Sequence, residues 1–355
     1  MKIVIVGPVN TNTYFGGVAI FTEGLADAFK MLGHDVKIVT DYSIKNYTSA
    51  NTEIISLFKK PTRKNAILPV KIKNEVMRLS PELVITSLEY GIVNKMLNNI
   101  FTIHYIHGFP SKKGNKINNF FINKITKFIS RNSNYVIANS GLTSIINSEI
   151  FDINANRVIN VAVGYDFINK IKCEEKENNL SDKKSVLFVG RLVKEKKVDS
   201  IIRAFSEIDR NDIILKIVGD GPEKRNLEKL AKSLSDRIIF YGKKSPDELV
   251  DFYNKSDVFI SLNPHEPFGI VYLEALAANC TVICPKMGGQ IDVILNYLDR
   301  TLLVNPYDIE DIRVNINEAF DLKHNKFDKN YILDNFSYNK SAKEIERIYE
   351  ARKNV

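Results

Sequence analysis

The stretch KIVIVGPVNTNTYFGGVAIFTEGLADAFKMLGHDVKIVT, residues 2–40, decides the fold class. It opens with KIVIVG (2–7) and closes with VKIVT (36–40), two short Val/Ile runs bounded by turn residues. Unbroken apolar runs of this length read as strands covered on both faces, as in a parallel sheet. Between them, VAIFTEGLADAFKMLGHD has helical apolar spacing and stops at Gly33, since glycine adopts the left-handed backbone that ends helices. Strand, helix and strand in this order form the unit of a doubly wound sheet.

The same alternation runs on through the chain. LVITS (83–87), TIHYIHG (102–108) and YVIANS (135–140) continue the first series of strands. SVLFVGRL (185–192), ILKIVGDG (214–221), RIIFYG (237–242), VFISLN (258–263) and TVICP (281–285) form a second series. The helix patterns VDSIIRAFSEI, EKRNLEKLAKSL and PDELVDFYNKS separate members of that second series. Residues 171–184, IKCEEKENNLSDKK, are polar and aperiodic and read as a linker. The expectation is an N-terminal Rossmann-like domain over 1–170 and a second over 185–339, facing across a cleft. In such sheets ligands bind beyond the carboxyl ends of the strands, so functional residues belong in the strand-to-helix loops.

Composition narrows the classes. The chain has 355 residues, 44% of them hydrophobic, as expected for two packed domains. Net charge is +8: residues 1–170 hold 20 Lys and Arg against 11 Asp and Glu, and residues 171–355 hold 30 against 31. The basic half suits an anionic surface or substrate, or is a solvated lysine-rich surface. Cys173, Cys280 and Cys284 form no disulfide framework, and CTVIC reads as small core residues. Five scattered histidines make no metal-ligand pattern. The N-terminal apolar run is too short for a signal peptide and no segment is long and apolar enough to span a bilayer. A cytoplasmic protein, peripheral on the membrane at most, is expected.

Several loops carry chemistry. Gly16-Gly17 precedes the first helix, where glycine permits close backbone approach and helix N–H groups favour anions; alone, the pair is equally an ordinary turn. In VGRLVKEKK (189–197), Gly190 ends a strand, and Arg191 and Lys196 offer a guanidinium fork and a point charge that suit a diphosphate. Alone, this too reads as a solvated basic loop. VGDGPEKRNL (218–227) places Gly219 and Gly221 at the next strand end, with Pro222 opening a helix. The turn Tyr241-Gly242-Lys243 follows, with backbone able to meet a base edge. Finally, NPHEPFGIVYLEAL (263–276) puts Glu266 before a helix entrance at Phe268-Gly269-Ile270 and Glu274 in that helix's second turn. The helix N–H groups would meet an anion beside Arg191 and Lys196, while the acids suit hydroxyls.

This ordered set resembles glycosyltransferase family 4, the retaining GT-B enzymes also described as glycosyl transferases group 1. The resemblance rests on Glu266-Pro267-Phe268-Gly269 with Glu274, on Gly190-Arg191-Leu192 with Lys196, on Gly219-Asp220-Gly221-Pro222, and on the Gly pairs at 16–17 and 288–289. It implies an α/β GT-B fold of two Rossmann-like domains, with a C-terminal helix over 340–355 packing back on the first. It implies that Arg191 and Lys196 hold the donor diphosphate, Glu274 the ribose hydroxyls and Glu266 the transferred sugar. Backbone at Phe268, Gly269 and Ile270 would cradle phosphate and sugar, with Gly16 and Gly17 closing from the other domain. His107 stands where the family often carries a histidine near the sugar.

The chain departs from that pattern at three places. Val163-Gly164-Tyr165-Asp166 replaces an Asn-Gly-x-Asp, Asp292 replaces the glutamate of Gly-Gly-x-x-Glu, and Lys197 stands where glycine is usual. No Asp-x-Asp occurs, so transfer without a metal or other cofactor is expected, the leaving diphosphate being stabilised by Arg191, Lys196 and a helix N-terminus. The expected partners are a nucleotide-sugar donor, UDP-linked first and GDP-linked next, and a saccharide or lipid-linked acceptor. Residues 111–131, SKKGNKINNFFINKITKFISR, read either as an amphipathic helix for an anionic membrane or as one packed on its own sheet. A nucleotide-sugar epimerase and a non-catalytic nucleotide-sugar binder are the rival readings. Nucleic acid is not expected, since the basic half lacks interleaved stacking aromatics.

Overall fold

The computed structural model describes residues 1–11, 16–44, 51–60, 66–109, 116–160, 165–172, 183–323 and 327–352, without the side chains of 116–118 and 165–166. Contacts divide the chain into two units, residues 1–162 with 336–355, and residues 163–335.

Among the described residues the first unit holds seven strands: β1 (Lys2–Val6), β2 (Asp35–Thr40), β3 (Glu53–Ser56), β4 (Leu83–Ser87), β5 (Phe101–Ile106), β6 (Tyr135–Ala138) and β7 (Arg157–Val158). They form one parallel sheet in the order β3-β2-β1-β4-β5-β6-β7. The chain winds outward from β1 to β3, then returns to the other side of β1 at β4. That reversal opens a crevice at the carboxyl ends of β1 and β4. The helix Gly17–Met31 follows β1 and buries Ala19, Phe21, Leu25, Ala28 and Phe29. Gly33 stops it as expected, at φ +85°, with its N–H bonded to the carbonyl of Lys30.

The last helix, Tyr338–Ala351, belongs to this first unit. Its Tyr338 ring covers Gly24, where an added Cβ would lie 2.3 Å from the ring. Glu346 and Glu344 pair with His34 and Arg157 at 3.3 and 3.4 Å.

The second unit holds β8 (Lys184–Val189), β9 (Ile213–Val218), β10 (Ile238–Gly242), β11 (Val258–Ile260), β12 (Thr281–Pro285) and β13 (Thr301–Val304). They form a parallel sheet in the order β10-β9-β8-β11-β12-β13. Its core joins Val186, Phe188, Leu215, Ile217, Ile260 and Ile283 to Ile201, Phe205, Ile312 and Ile316 of flanking helices. The reversal of winding falls between β8 and β11. Cys280 and Cys284 are buried here and share no disulfide, and Cys280 Sγ donates to the Ser256 carbonyl at 3.1 Å, whereas Cys173 lies outside the described residues.

The division at 162/163 differs from the boundary expected at 170. The helix Tyr165–Lys170 joins the second unit because Ile168 is buried, Phe167 meets the Tyr253 ring edge-on, and Lys170 pairs with Asp247 at 2.7 Å. Of the expected linker 171–184, Ile171 is buried and Lys184 already begins β8. Residues 173–182 lie outside the described residues, as do Val163 and Gly164.

Candidate functional site

In the second unit the carboxyl ends of β10, β9 and β8 lie side by side, and glycine lets their loops touch backbone to backbone. Gly219 has φ +147°, and a Cβ there would stand 1.9 Å from the carbonyl oxygen of Gly190. A Cβ on Gly221 would stand 2.3 Å from the Leu192 carbonyl oxygen. Gly242, at φ +68°, accepts a hydrogen bond from the N–H of Gly219 at 2.8 Å. The three loops therefore form one layer that fixes Arg191, Tyr241 and Lys243 at the edge of the sheet. Tyr241 rests edge-on against Phe252. Gly219→Ala is expected to destabilise the protein by about 3 kcal/mol or more, from steric overlap plus left-handed strain. Thermal unfolding of the variant checks this, with folding held to wild-type Tm as the contrary result.

Arg191 is exposed just past β8, and its carbonyl accepts from the N–H of Val193 at 3.0 Å. Lys196 ends a short 3-10 turn, Lys194–Lys196. The next residue, Lys197, has φ +50° and ψ +39°, so glycine's usual place after the lysine has a backbone reason. Here a lysine takes the left-handed conformation, with its ammonium 4.1 Å from the centre of the Tyr307 ring.

Lys196 meets Glu266 directly. Its ammonium donates to Glu266 Oε2 at 2.5 Å, and the side chains are only 19% and 13% exposed. Asn263 Nδ2 donates to the same oxygen at 3.0 Å, while Asn263 Oδ1 holds the N–H of His265. Burial pushes the Glu266 carboxyl up, but the Lys196 charge and the hydrogen bonds from Lys196 and Asn263 outweigh it. The net effect holds the group below the usual carboxylate range.

The backbone around Glu266 is set by two glycines. The Gly289 N–H donates to the Glu266 carbonyl at 2.6 Å, and a Cβ on Gly289 would stand 2.0 Å from the Pro267 carbonyl oxygen. Gly269, at φ +91°, starts the helix Ile270–Ala277, and no side chain caps that start. Phe268 is buried beneath it. The Tyr272 N–H of the first turn bonds the Gly269 carbonyl at 3.1 Å, and the N–H groups that begin such a helix favour an anion. One turn later, Glu274 Oε2 accepts from the Tyr253 hydroxyl at 2.6 Å. Burial pushes Glu274 up to about 7, against the smaller lowering effect of that bond. Asp292 lies in the short helix Ile291–Ile294 that follows the Gly288-Gly289 turn.

In the first unit, Gly16 and Gly17 begin the helix Gly17–Met31; a Cβ on Gly17 would meet no atom within 4 Å. Phe21, one turn on, lies 4.6 Å from the His107 ring, which also stacks on Tyr105 at 5.0 Å. His107 Nε2 is 3.0 Å from Ser87 Oγ at the end of β4. Burial and the neighbouring His104 push the His107 imidazole down to about 3, so it is neutral at ordinary pH. It can exchange hydrogen bonds but brings no charge. Gly16, Gly17, Ser87 and His107 thus gather at the β1/β4 reversal. The structure brings Arg191, Lys196, Glu266 and Glu274 to the equivalent reversal of the second unit.

Sequence reasoning missed three residues of these sites. Asn263 stands three residues before Glu266, and an amide in that loop was a readable signal. Tyr253 reads from sequence as an ordinary apolar helix position, and Ser87 as the last residue of a strand.

Comparisons with known proteins agree with this geometry. Residues 169–336 match the family model described as glycosyl transferases group 1. An uncharacterized glycosyltransferase of Methanocaldococcus jannaschii is 27% identical, over 83% of each chain. The phosphatidylinositol N-acetylglucosaminyltransferase GPI3 subunit of Saccharomyces cerevisiae (strain YJM789) is 23% identical, over 93% of this chain and 76% of its own. Among solved structures, sucrose-phosphate synthase from Thermosynechococcus elongatus superposes with TM-score 0.81 at 20% identity, over 99% of both chains. The Anabaena protein HepE, solved with UDP and glucose, gives 0.75 at 15% identity, over 99% of this chain and 100% of its own. Arg191, Lys196, Glu266 and Glu274 all lie inside the region that matches the glycosyl transferases group 1, and the two α/β units have the GT-B fold.

Proposed function

We propose that this chain is a retaining glycosyltransferase that moves a hexose-type sugar from a nucleotide-sugar donor to a hydroxyl of a glycan or lipid-linked saccharide. The donor is UDP-linked in the first place and GDP-linked next, and the setting is surface polysaccharide or glycoconjugate synthesis of the bacterial kind. The observation that carries this reading is the Lys196–Glu266 pair beside an uncapped helix start, with Glu274 one turn along the same helix. Cations and helix N–H groups suit a diphosphate, and the free oxygens of the two acids suit hydroxyls on either side of it. That HepE was solved with UDP and glucose supports a UDP-linked donor.

In the proposed reaction the bond from the sugar's anomeric carbon to the diphosphate oxygen breaks. A bond from that carbon to the acceptor oxygen forms on the same face. The acceptor proton passes to the departing diphosphate, whose negative charge Arg191, Lys196 and the helix N-terminus stabilise without a metal. Glu266 fixes the sugar through a hydroxyl. Lys196 and Glu266 pair with each other, so the donor diphosphate must draw the ammonium toward itself.

The anomeric configuration of the product, read by NMR at early turnover, tests the reading. Retention is expected, and an inverted product would overturn it. Donor turnover without any acceptor would favour the epimerase instead.

A further inference from the structure

The helix Lys116–Arg131 carries a face that its own unit does not use. Its inner side is anchored by Ile129, which is buried. Phe120, Phe121, Ile125 and Phe128 are 56%, 57%, 40% and 43% exposed. At helical spacing Phe121, Ile125 and Phe128 form one apolar stripe, and Lys124, Lys127 and Arg131 flank it along one side. Lys124 lies 4.4 Å from the centre of the Phe120 ring, and Lys127 and Arg131 reach Asp152 on the next helix. That next helix, Gly141–Phe151, adds Ile145 and Ile150, which are 62% and 68% exposed. No Asp or Glu occurs between 116 and 131.

Four large exposed apolar side chains on one short helix exceed what scattered surface residues explain. The charge beside them selects the occupant. A second copy of this chain would set the same cations against each other. A zwitterionic or acid-free apolar partner would leave unmatched the positive charge that remains after Asp152. An anionic lipid surface takes both parts, with the Phe/Ile stripe in the acyl boundary and the cations at the headgroups. We infer that the helix Lys116–Arg131 is a docking surface that lays the first unit on an anionic phospholipid membrane. It deepens the proposed function by placing the protein where lipid-linked acceptors are found, and it rests on that reading for this consequence alone. Residues 111–115, also expected to take part, lie outside the described residues.

The test is co-flotation of the full chain with vesicles of phosphatidylcholine alone or with one quarter phosphatidylglycerol. Wild type is expected to partition onto the anionic vesicles and not onto the neutral ones. Phe121→Ser with Phe128→Ser should lower that partition about tenfold or more, and Lys124→Glu about fivefold or more. Met77→Ser, at an exposed apolar position on another helix, should leave it unchanged. All of these positions are exposed, so circular dichroism should match wild type. Equal binding to both vesicle types, no binding by wild type, or binding untouched by the Phe pair would overturn the proposal. So would self-association that the Phe pair abolishes. Flotation reads binding without activity, so its failure leaves the transferase reading untouched, and an inactive protein that floats leaves the docking surface standing.

Discussion

Lys196→Ala is expected to lower kcat/KM for sugar transfer by about 10²–10³, the effect of removing one preorganised group that stabilises charge developing on the leaving group. It should also lower folding stability, by about 2 kcal/mol, because Glu266 then keeps a mostly buried carboxylate with only Asn263 as its partner. The two effects separate in a double variant. Lys196→Met with Glu266→Gln removes both charges and should restore stability to within about 1 kcal/mol of wild type, since a neutral pair carries no desolvated charge. Activity should stay lost. Urea unfolding and steady-state kinetics on the same preparations check the split. Recovery of activity together with stability would make the pair structural only. The pH dependence has a definite sign. The folded protein holds Glu266 below its ordinary range, so the pair's contribution is present above the ordinary glutamate pKa and lost on acidification through the lowered one.

Glu274 behaves in the opposite direction. Burial raises its carboxyl to about 7, so in the folded protein the neutral acid is favoured up to neutral pH, and stability falls as pH rises toward that value. A ribose diol donates hydrogen bonds and is held best by the carboxylate. Donor affinity should therefore rise about tenfold per unit as pH increases toward 7, with one proton released, and level off above it. Calorimetric titration in buffers of different ionisation enthalpy measures both. Glu274→Gln should remove the slope and weaken the donor about 10- to 100-fold, because an amide offers one acceptor oxygen where the carboxylate offered two. An unchanged pH slope in Glu274→Gln would place the titrating group elsewhere.

Much of this architecture is legible in the sequence because ten of the strands are compact apolar runs closed by glycine or turn residues. The runs at 2–7 and 36–40 appear as β1 and β2, with a helix between them that stops before Gly33. The strands that escaped notice lack such a run. Glu53–Ser56 is a half-exposed edge strand, Arg157–Val158 is a two-residue edge, and Thr301–Val304 follows a 3-10 turn that hides its start. The helix Tyr165–Lys170 was assigned to the wrong side of the boundary because its anchors, Tyr253 and Asp247, are remote in sequence.

The site residues were legible by type and order, and their direct contacts were not. Lys196 and Glu266 were expected to serve phosphate and sugar separately. They pair because β11 crosses back to lie beside β8, which brings the loop after β11 against the loop after β8. A reading along the chain contains no sign of that adjacency until the strand order is known. The glycines tell the converse story. Gly219 and Gly221 read from sequence as residues that set the loop, and Gly242 as backbone able to meet a base edge; in the structure all three let backbone approach backbone.

The central claim is that the second unit binds a nucleotide sugar through Arg191, Lys196, the Ile270–Ala277 helix start and Glu274. Its most direct test is equilibrium binding of UDP-, GDP- and ADP-sugars to the full chain, each with and without EDTA. The account predicts that one donor class, UDP-linked first, binds equally well with EDTA and loses its affinity in Glu274→Ala, whose fold is checked by circular dichroism. Folded wild-type protein that binds none of these donors, or a donor bound as well by Glu274→Ala as by wild type, would contradict it.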